Sequence, residues 1–175
     1  MKRRLFTAIE PDERFAQAVQ KLHSSLPGAN WETEPHITLT HFGDVEAESL
    51  PELTAALEAV MFSTFVLELS GTGFFGEEDA PAVAWLAFKQ SSELERLHAE
   101  VSVIRQRFAS SPERHSFNPH LTLARTNRCE PAAVHTYLRS ARESTLPAQF
   151  DVARFELFES TNETYSKVAT VRAQR

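Results

Sequence analysis

A single cysteine, Cys129, stands among 175 residues, so the chain can form no internal disulfide and is compatible with a reducing compartment. No apolar run approaches the roughly 20 residues that a bilayer-spanning helix needs. The N-terminal MKRRLFTAIE is basic and then apolar, but Glu10 and Pro11 end the run too early for a signal-peptide core. A cytoplasmic location without a membrane partner is expected. Low-complexity tracts are absent, and hydrophobic residues at 42% with charged residues at 24% are ordinary globular usage. Excess positive charge is lacking too: the formal charge is −6, which argues against a broad basic surface that grips long nucleic acid. A local anion site stays open to Lys2, Arg3, Arg4, Arg125 and Arg128, which lie near the ends of proposed strands. Solvated surface charge is the other reading of each.

Several catalytic signatures are missing. There is no Gly-x-Ser-x-Gly elbow, and Cys129 sits alone in RTNRCEP. No phosphate-binding loop or dinucleotide fingerprint occurs, because GTGFFG (71–76) lacks the spacing. No Cys cluster, His-Glu-x-x-His or Asp-rich loop offers a metal site. His36 and His41, five apart on a strand, are expected on opposite faces and not as joint ligands. Of the seven histidines, His23, His98, His115 and His135 fall on proposed helices or loops without partners at ligand spacing, and read as surface or packing residues.

What is present is a repetition. PHITL (35–39) returns as PHLTL (119–123), with the histidines 84 residues apart. The surroundings repeat as well. RRLFTAI (3–9) alternates as a strand, and Phe15, Val19, Leu22 and Leu26 recur at helical spacing before Pro27-Gly28. HITLT is a second strand, Ala47–Met61 a helix and FVLELS (65–70) a strand. The second half runs likewise: VAWLAF (83–88), a helix over Ser92–Phe108 with Leu94, Leu97, Val101 and Ile104 or Arg105 inward, HLTLA, and a helix from Pro131. FDVARFELFES and YSKVATV close the chain as strands. The layout implies a single domain over 1–175 with an internal repeat, approximately 1–80 and 81–175. Its expected class is α+β, with two sheet-and-helix lobes about an approximate two-fold axis. The stretch GTGFFGEEDAP (71–81) reads as a Gly-rich turn with an acidic tip.

Alternation along a strand puts His36 and Thr38 on one face, and His120 and Thr122 on one face, about 6–7 Å apart in each pair. Ile37, Leu39, Leu121 and Leu123 then face the core. One such strand is an ordinary half-polar strand. Two, at corresponding places in a repeated layout, can line one cleft with an imidazole on each side of a phosphorus atom. One neutral imidazole accepts a proton from water and one protonated imidazole gives a proton to the departing oxygen. The threonine hydroxyls would donate to the non-bridging oxygens.

These motifs resemble those of the two-histidine phosphoesterase superfamily, and more narrowly the bacterial RNA 2′,3′-cyclic phosphodiesterases, the LigT-like proteins first described as 2′-5′ RNA ligases. The matching residues are RLFTAI, Trp31 before PHITL, FGDV after it, VAWLAF, FNPHLTLAR and FELFESTNETYSKV, which together span the chain. The resemblance implies a bilobal fold of two mainly antiparallel sheets lining a central cleft, with helices outside and no metal or organic cofactor. It implies hydrolysis of RNA 2′,3′-cyclic phosphate ends to a 2′-phosphate, with weak reverse 2′-5′ ligation. The substrate would be an RNA 3′ end or a small cyclic nucleotide, with no obligate protein partner. By the same resemblance His36 is the general acid, His120 the general base, Thr38 and Thr122 the hydroxyl positions, and Arg125 a phosphate ligand. His41-Phe42-Gly43 departs from the family's usual Phe-Leu-Gly. Two alternatives share these residues: a phosphodiesterase acting on ADP-ribose 1″,2″-cyclic phosphate or a 2′-5′ oligoadenylate, and a non-catalytic RNA-end binder.

Overall fold

A computed structural model describes the chain except residues 25, 110, 113–115, 162–163 and 175. His115 is thus outside the described residues. Among the described residues nine strands and four α-helices follow one another, with a short 3-10 turn over Ala47–Ser49. In chain order they are β1 (Lys2–Ile9), α1 (Glu13–Gln20), β2 (Asn30–Trp31), β3 (Ile37–Glu46), α2 (Leu50–Glu58), β4 (Phe65–Glu77), β5 (Ala80–Phe88), α3 (Ser92–Phe108), β6 (His120–Arg125), α4 (Pro131–Glu143), β7 (Gln149–Val152), β8 (Arg154–Thr161) and β9 (Thr164–Arg172). None of the described helices is long and apolar enough to cross a membrane.

The strands form one antiparallel path, β7-β4-β5-β6-β3-β1-β8-β9, with β2 added on β6. Its middle is narrow, because β3 and β6 share the single pair Ile37↔Leu121. The path is therefore two four-stranded lobes, β6-β5-β4-β7 and β3-β1-β8-β9, hinged on the two strands that carry the repeated motif. The expected α+β class and bilobal layout match this. The lobes are not the sequence halves, however, since β4 crosses to lie between β5 and β7 while β8 and β9 return beside β1.

Apolar spacing explains which faces are buried. Asp12 caps α1 by accepting from the Phe15 amide at 2.7 Å, and Phe15 then packs 5.0 Å from Phe150 and 6.2 Å from Phe88 in the other lobe. The helical spacing of Phe15, Val19, Leu22 and Leu26 overreaches: α1 stops at Gln20, and Leu26 reaches the core from the irregular segment after it. A second small cluster, Phe6, Ala8 and Phe158 with Tyr165 against it, lies on the β3-β1-β8-β9 lobe.

The expected turn over 71–81 is corrected. Residues 71–77 continue β4, and the turn is only Glu78-Asp79. The glycines serve the strand. Register shifts fall between Leu69 and Gly71 and between Phe75 and Gly76, and Gly73 passes under the Trp85 ring, where a Cβ would meet Cη2 at 2.3 Å.

Candidate active site

The pair Ile37↔Leu121 organises the site. In an antiparallel pair the flanking residues face one another, so Thr38 stands beside His120 and His36 beside Thr122, with Cβ atoms about 4.5–5.5 Å apart. This register sets the two histidines diagonally across the pair, for which an ordinary antiparallel ladder has a spacing of about 7–8 Å, enough for one phosphoryl group. The intervening residues point the other way: Ile37 and Leu121 are 0% exposed and Leu39 is 2% exposed. His36 itself immediately precedes β3, while His120 opens β6.

Both imidazoles are anchored in the same manner. His36 Nδ1–H donates to the Glu34 carbonyl at 2.7 Å, and His120 Nδ1–H donates to the Asn118 carbonyl at 2.7 Å. A carbonyl can only accept, so each ring keeps its proton on Nδ1 and leaves Nε2 for the cleft. Pro35 and Pro119 lie between ring and carbonyl in both cases, and their fixed φ holds the short turn that brings the two together. Aromatic rings hold each imidazole in place. Phe6 and Tyr165 lie 5.5 and 5.2 Å from His36, and Phe75 and Trp85 lie 4.8 and 5.9 Å from His120. Burial pushes the His120 pKa below the ordinary imidazole value, the Asn118 carbonyl opposes this, and the charge of His36 adds to the lowering.

Two cavities flank the two motifs. One, about 850 Å³, is lined by Thr122, Tyr165, Arg125, Lys2, Arg3 and Arg4. The other, about 770 Å³, is lined by Thr38, His41, His120, Phe75, Phe117 and Arg105. Arg125 reaches the first through a bulge. Strand parity alone would turn it away from Thr122, but the pairs Ala84↔Ala124 and Trp85↔Thr122 leave Leu123 as an extra residue in β6. Among the described residues no carboxylate forms an ion pair with Arg125. Arg128 lines neither cavity.

The family model of the 2'-5' RNA ligase superfamily matches residues 10–164. The chain belongs to the 2'-5' RNA ligase superfamily. It is 33% identical over 179 aligned positions to an RNA 2',3'-cyclic phosphodiesterase of Geobacillus stearothermophilus, an alignment that covers 96% of this chain and 55% of that protein. The chain thus spans about half the length of that relative. It is 29% identical over 162 positions to an RNA 2',3'-cyclic phosphodiesterase of Archaeoglobus fulgidus, covering 90% of each. The crystal structure of E. coli LigT in apo form shares the fold, with a TM-score of 0.76 at 21% identity over 99% of both chains. LigT complexed with 3'-AMP gives 0.75 at 20% identity over 100% of both.

One reading of this superfamily member's sequence is overturned. His41 does not face away from His36. The pairs Thr7↔Thr40 and Ala8↔Thr38 leave Leu39 unmatched, and this bulge returns His41 to the face of His36 and Thr38. Phe6 accordingly touches both rings, His36 at 5.5 Å and His41 at 5.9 Å. Parity is therefore no argument about metal ligation. Among the described residues no group of three His, Cys, Asp or Glu side chains could hold a metal ion.

His23 stacks on Trp31 at 4.8 Å, and His135 Nε2–H donates to the Glu78 carbonyl at 2.8 Å. His98 is more than a packing residue, since its Nδ1–H donates to the Leu39 carbonyl at 2.9 Å. Site-lining residues that the sequence reading passed over are Phe75, Trp85, Tyr165, Phe117 and Arg105. Only Arg105 left a signal, an arginine at the next inward position of the stripe Leu94, Leu97, Val101. It is 7% exposed.

Proposed function

We propose that the protein hydrolyses RNA 2′,3′-cyclic phosphate ends to a 2′-phosphate by in-line displacement, with weak 2′-5′ ligation as the reverse. The observation that carries this reading is the matched anchoring of His36 and His120 through Nδ1, on either side of the one pair that joins β3 to β6, which leaves each Nε2 available for proton transfer. Neutral His120 takes a proton from water as the water oxygen bonds to phosphorus. The bond from phosphorus to O3′ breaks, and protonated His36 gives its Nε2 proton to that oxygen. Solvent then resets both rings. The lowered pKa of His120 supports the role of base at neutral pH. Thr38 and Thr122 donate to the non-bridging oxygens, and the Arg125 fork meets the phosphate from the larger cavity.

The names carried by the Geobacillus and Archaeoglobus relatives support this chemistry, and the LigT complex with 3'-AMP supports a ribonucleotide in the cleft. The substrate is an RNA 3′ end or a small cyclic nucleotide, in keeping with a short cationic site on an acidic chain.

The test is turnover of a 2′,3′-cyclic-phosphate oligonucleotide in EDTA with the product phosphate located. His36→Ala and His120→Ala should each lose about 10²- to 10⁴-fold. Undiminished turnover by either variant would sink the mechanism, and faster turnover of ADP-ribose 1″,2″-cyclic phosphate would move the substrate.

A further inference from the structure

β3 carries two bulges, and helix α3 reaches both. Leu39 is left over between Ala8↔Thr38 and Thr7↔Thr40, and Phe42 between Phe6↔His41 and Leu5↔Gly43. His98 Nδ1–H donates to the Leu39 carbonyl at 2.9 Å, and Arg105 Nε–H donates to the His41 carbonyl at 2.7 Å. The two donors are seven residues apart, about two helical turns, and so share one face of α3. Each also holds the segment that leads into β6. The His98 ring lies flat on Phe117 at 3.9 Å and 5°, and Arg105 Nη2–H donates to the Ser111 carbonyl at 2.7 Å. Burying a guanidinium is unfavourable unless its donors are used, and here they are used on two carbonyls.

We propose that His98 and Arg105 are positioning residues, a clamp by which α3 fixes both bulges of β3 and so the face on which Thr38 stands. A one-residue slip exchanges the two faces of a strand, and a bulge is where such a slip begins. Tying the carbonyls of residues 39 and 41 to a helix prevents it. Because His98 also holds Phe117, it sets the approach of the neighbouring Asn118, whose carbonyl orients His120. The clamp acts on both motifs at once without touching the substrate.

The kinetic half of the test rests on the cyclic-phosphodiesterase reading; the structural half does not. His98→Phe keeps a flat ring for Phe117 and removes the donor, whereas His98→Asn keeps an N–H near the position of Nδ1. On a 2′,3′-cyclic-phosphate oligonucleotide His98→Phe should lower kcat about tenfold with KM nearly unchanged, while His98→Asn stays within about threefold of the parent, as expected for one hydrogen bond. In a Thr38→Val background His98→Phe should add less than about twofold, because the clamp works through Thr38. Amide exchange at residues 38–43 should quicken about tenfold in His98→Phe and in Arg105→Met, with β8 and β9 unaffected. Parental exchange in both variants, or exchange quickened evenly across the sheet, would overturn the clamp. So would kinetic losses that multiply independently with Thr38→Val. A parent protein inert on every cyclic phosphate would defeat the functional reading, and the exchange data would still decide the clamp.

Discussion

The proton inventory of His120 is set by where its ring sits. Burial among Phe75 and Trp85 disfavours the charged ring, the Asn118 carbonyl favours it less strongly, and His36 disfavours it again. The folded pKa therefore lies below the ordinary imidazole value of about 6.5. On the proposal that His120 is the base, it must be unprotonated to act, so the acidic side of the profile falls as pH drops through that lowered value, while the need for protonated His36 limits the alkaline side. The pH profile of kcat/KM should accordingly show its acidic limb below about 6.5, and replacing Trp85 by Leu, which admits water, should move that limb upward. An acidic limb above 7 in the parent would assign the base elsewhere. Much at this scale was legible in advance. Alternation in His-x-Thr is enough to put imidazole and hydroxyl on one face, and the burial of Ile37 and Leu121 is the other half of that alternation. His41 and Arg125 were not legible by parity, since an unmatched Leu39 and an unmatched Leu123 each reverse it. A bulge is a property of two strands in register, and one strand's sequence does not carry it.

Among the elements, the hairpin β4-β5 shows most clearly how composition misleads. Glycines at 71, 73 and 76 look like a turn, yet two of them sit at register shifts and Gly73 clears space for an indole. Trp85 lies over that gap and against His120 and Phe75, so the small residue in one strand sets the wall of the site in the next. A Cβ at position 73 would meet Trp85 Cη2 at 2.3 Å, Cζ2 at 2.6 Å and Cζ3 at 2.7 Å, so the whole ring has to move. Gly73→Ala should then cost about 1–3 kcal/mol as overpacking. For a chain of this length that is a fall in Tm of roughly 2–12 °C. Trp85→Leu should relieve most of the loss, because a shorter side chain leaves room for the new methyl group. The measurement is Tm for the two single variants and the double variant, and losses that simply add would mean that the glycine is needed for its backbone and not for the ring. The helices were easier to read, since the stripe Leu94, Leu97, Val101 is a local signal. The crossing of β4, β8 and β9 between lobes is non-local, and nothing within those segments announces it.

At the scale of the molecule, electrostatics limits how the proposed RNA substrate could be held. The formal charge is −6, and most cations of the larger cavity already have partners. Arg3 Nε donates to Glu159 Oε1 at 2.8 Å, Arg4 lies 3.7 Å from Asp44, and Lys2 lies 3.8 Å from Glu46. The last two pairs are exposed and exchange readily for phosphate or water. Arg125 is the cation of that cavity without such a pair among the described residues. Few counterions are therefore released when a strand enters, one to three phosphates at most. For a single strand each neutralised phosphate contributes a slope of about −0.7 in log affinity against log salt. The slope of log kcat/KM for a cyclic-ended oligonucleotide should thus fall between about −0.7 and −2, and Arg125→Ala should make it shallower by about 0.7. Measured from 50 to 300 mM KCl, a slope steeper than about −4 would require a far larger basic track than the cavity holds. An unchanged slope in Arg125→Ala would remove that residue from the phosphate path. On the proposed function the site would be an end-reader: its grip would lie at the terminal phosphate, beside the one strand pair that joins the two halves of the sheet, and an acidic chain offers a long strand little to hold beyond it.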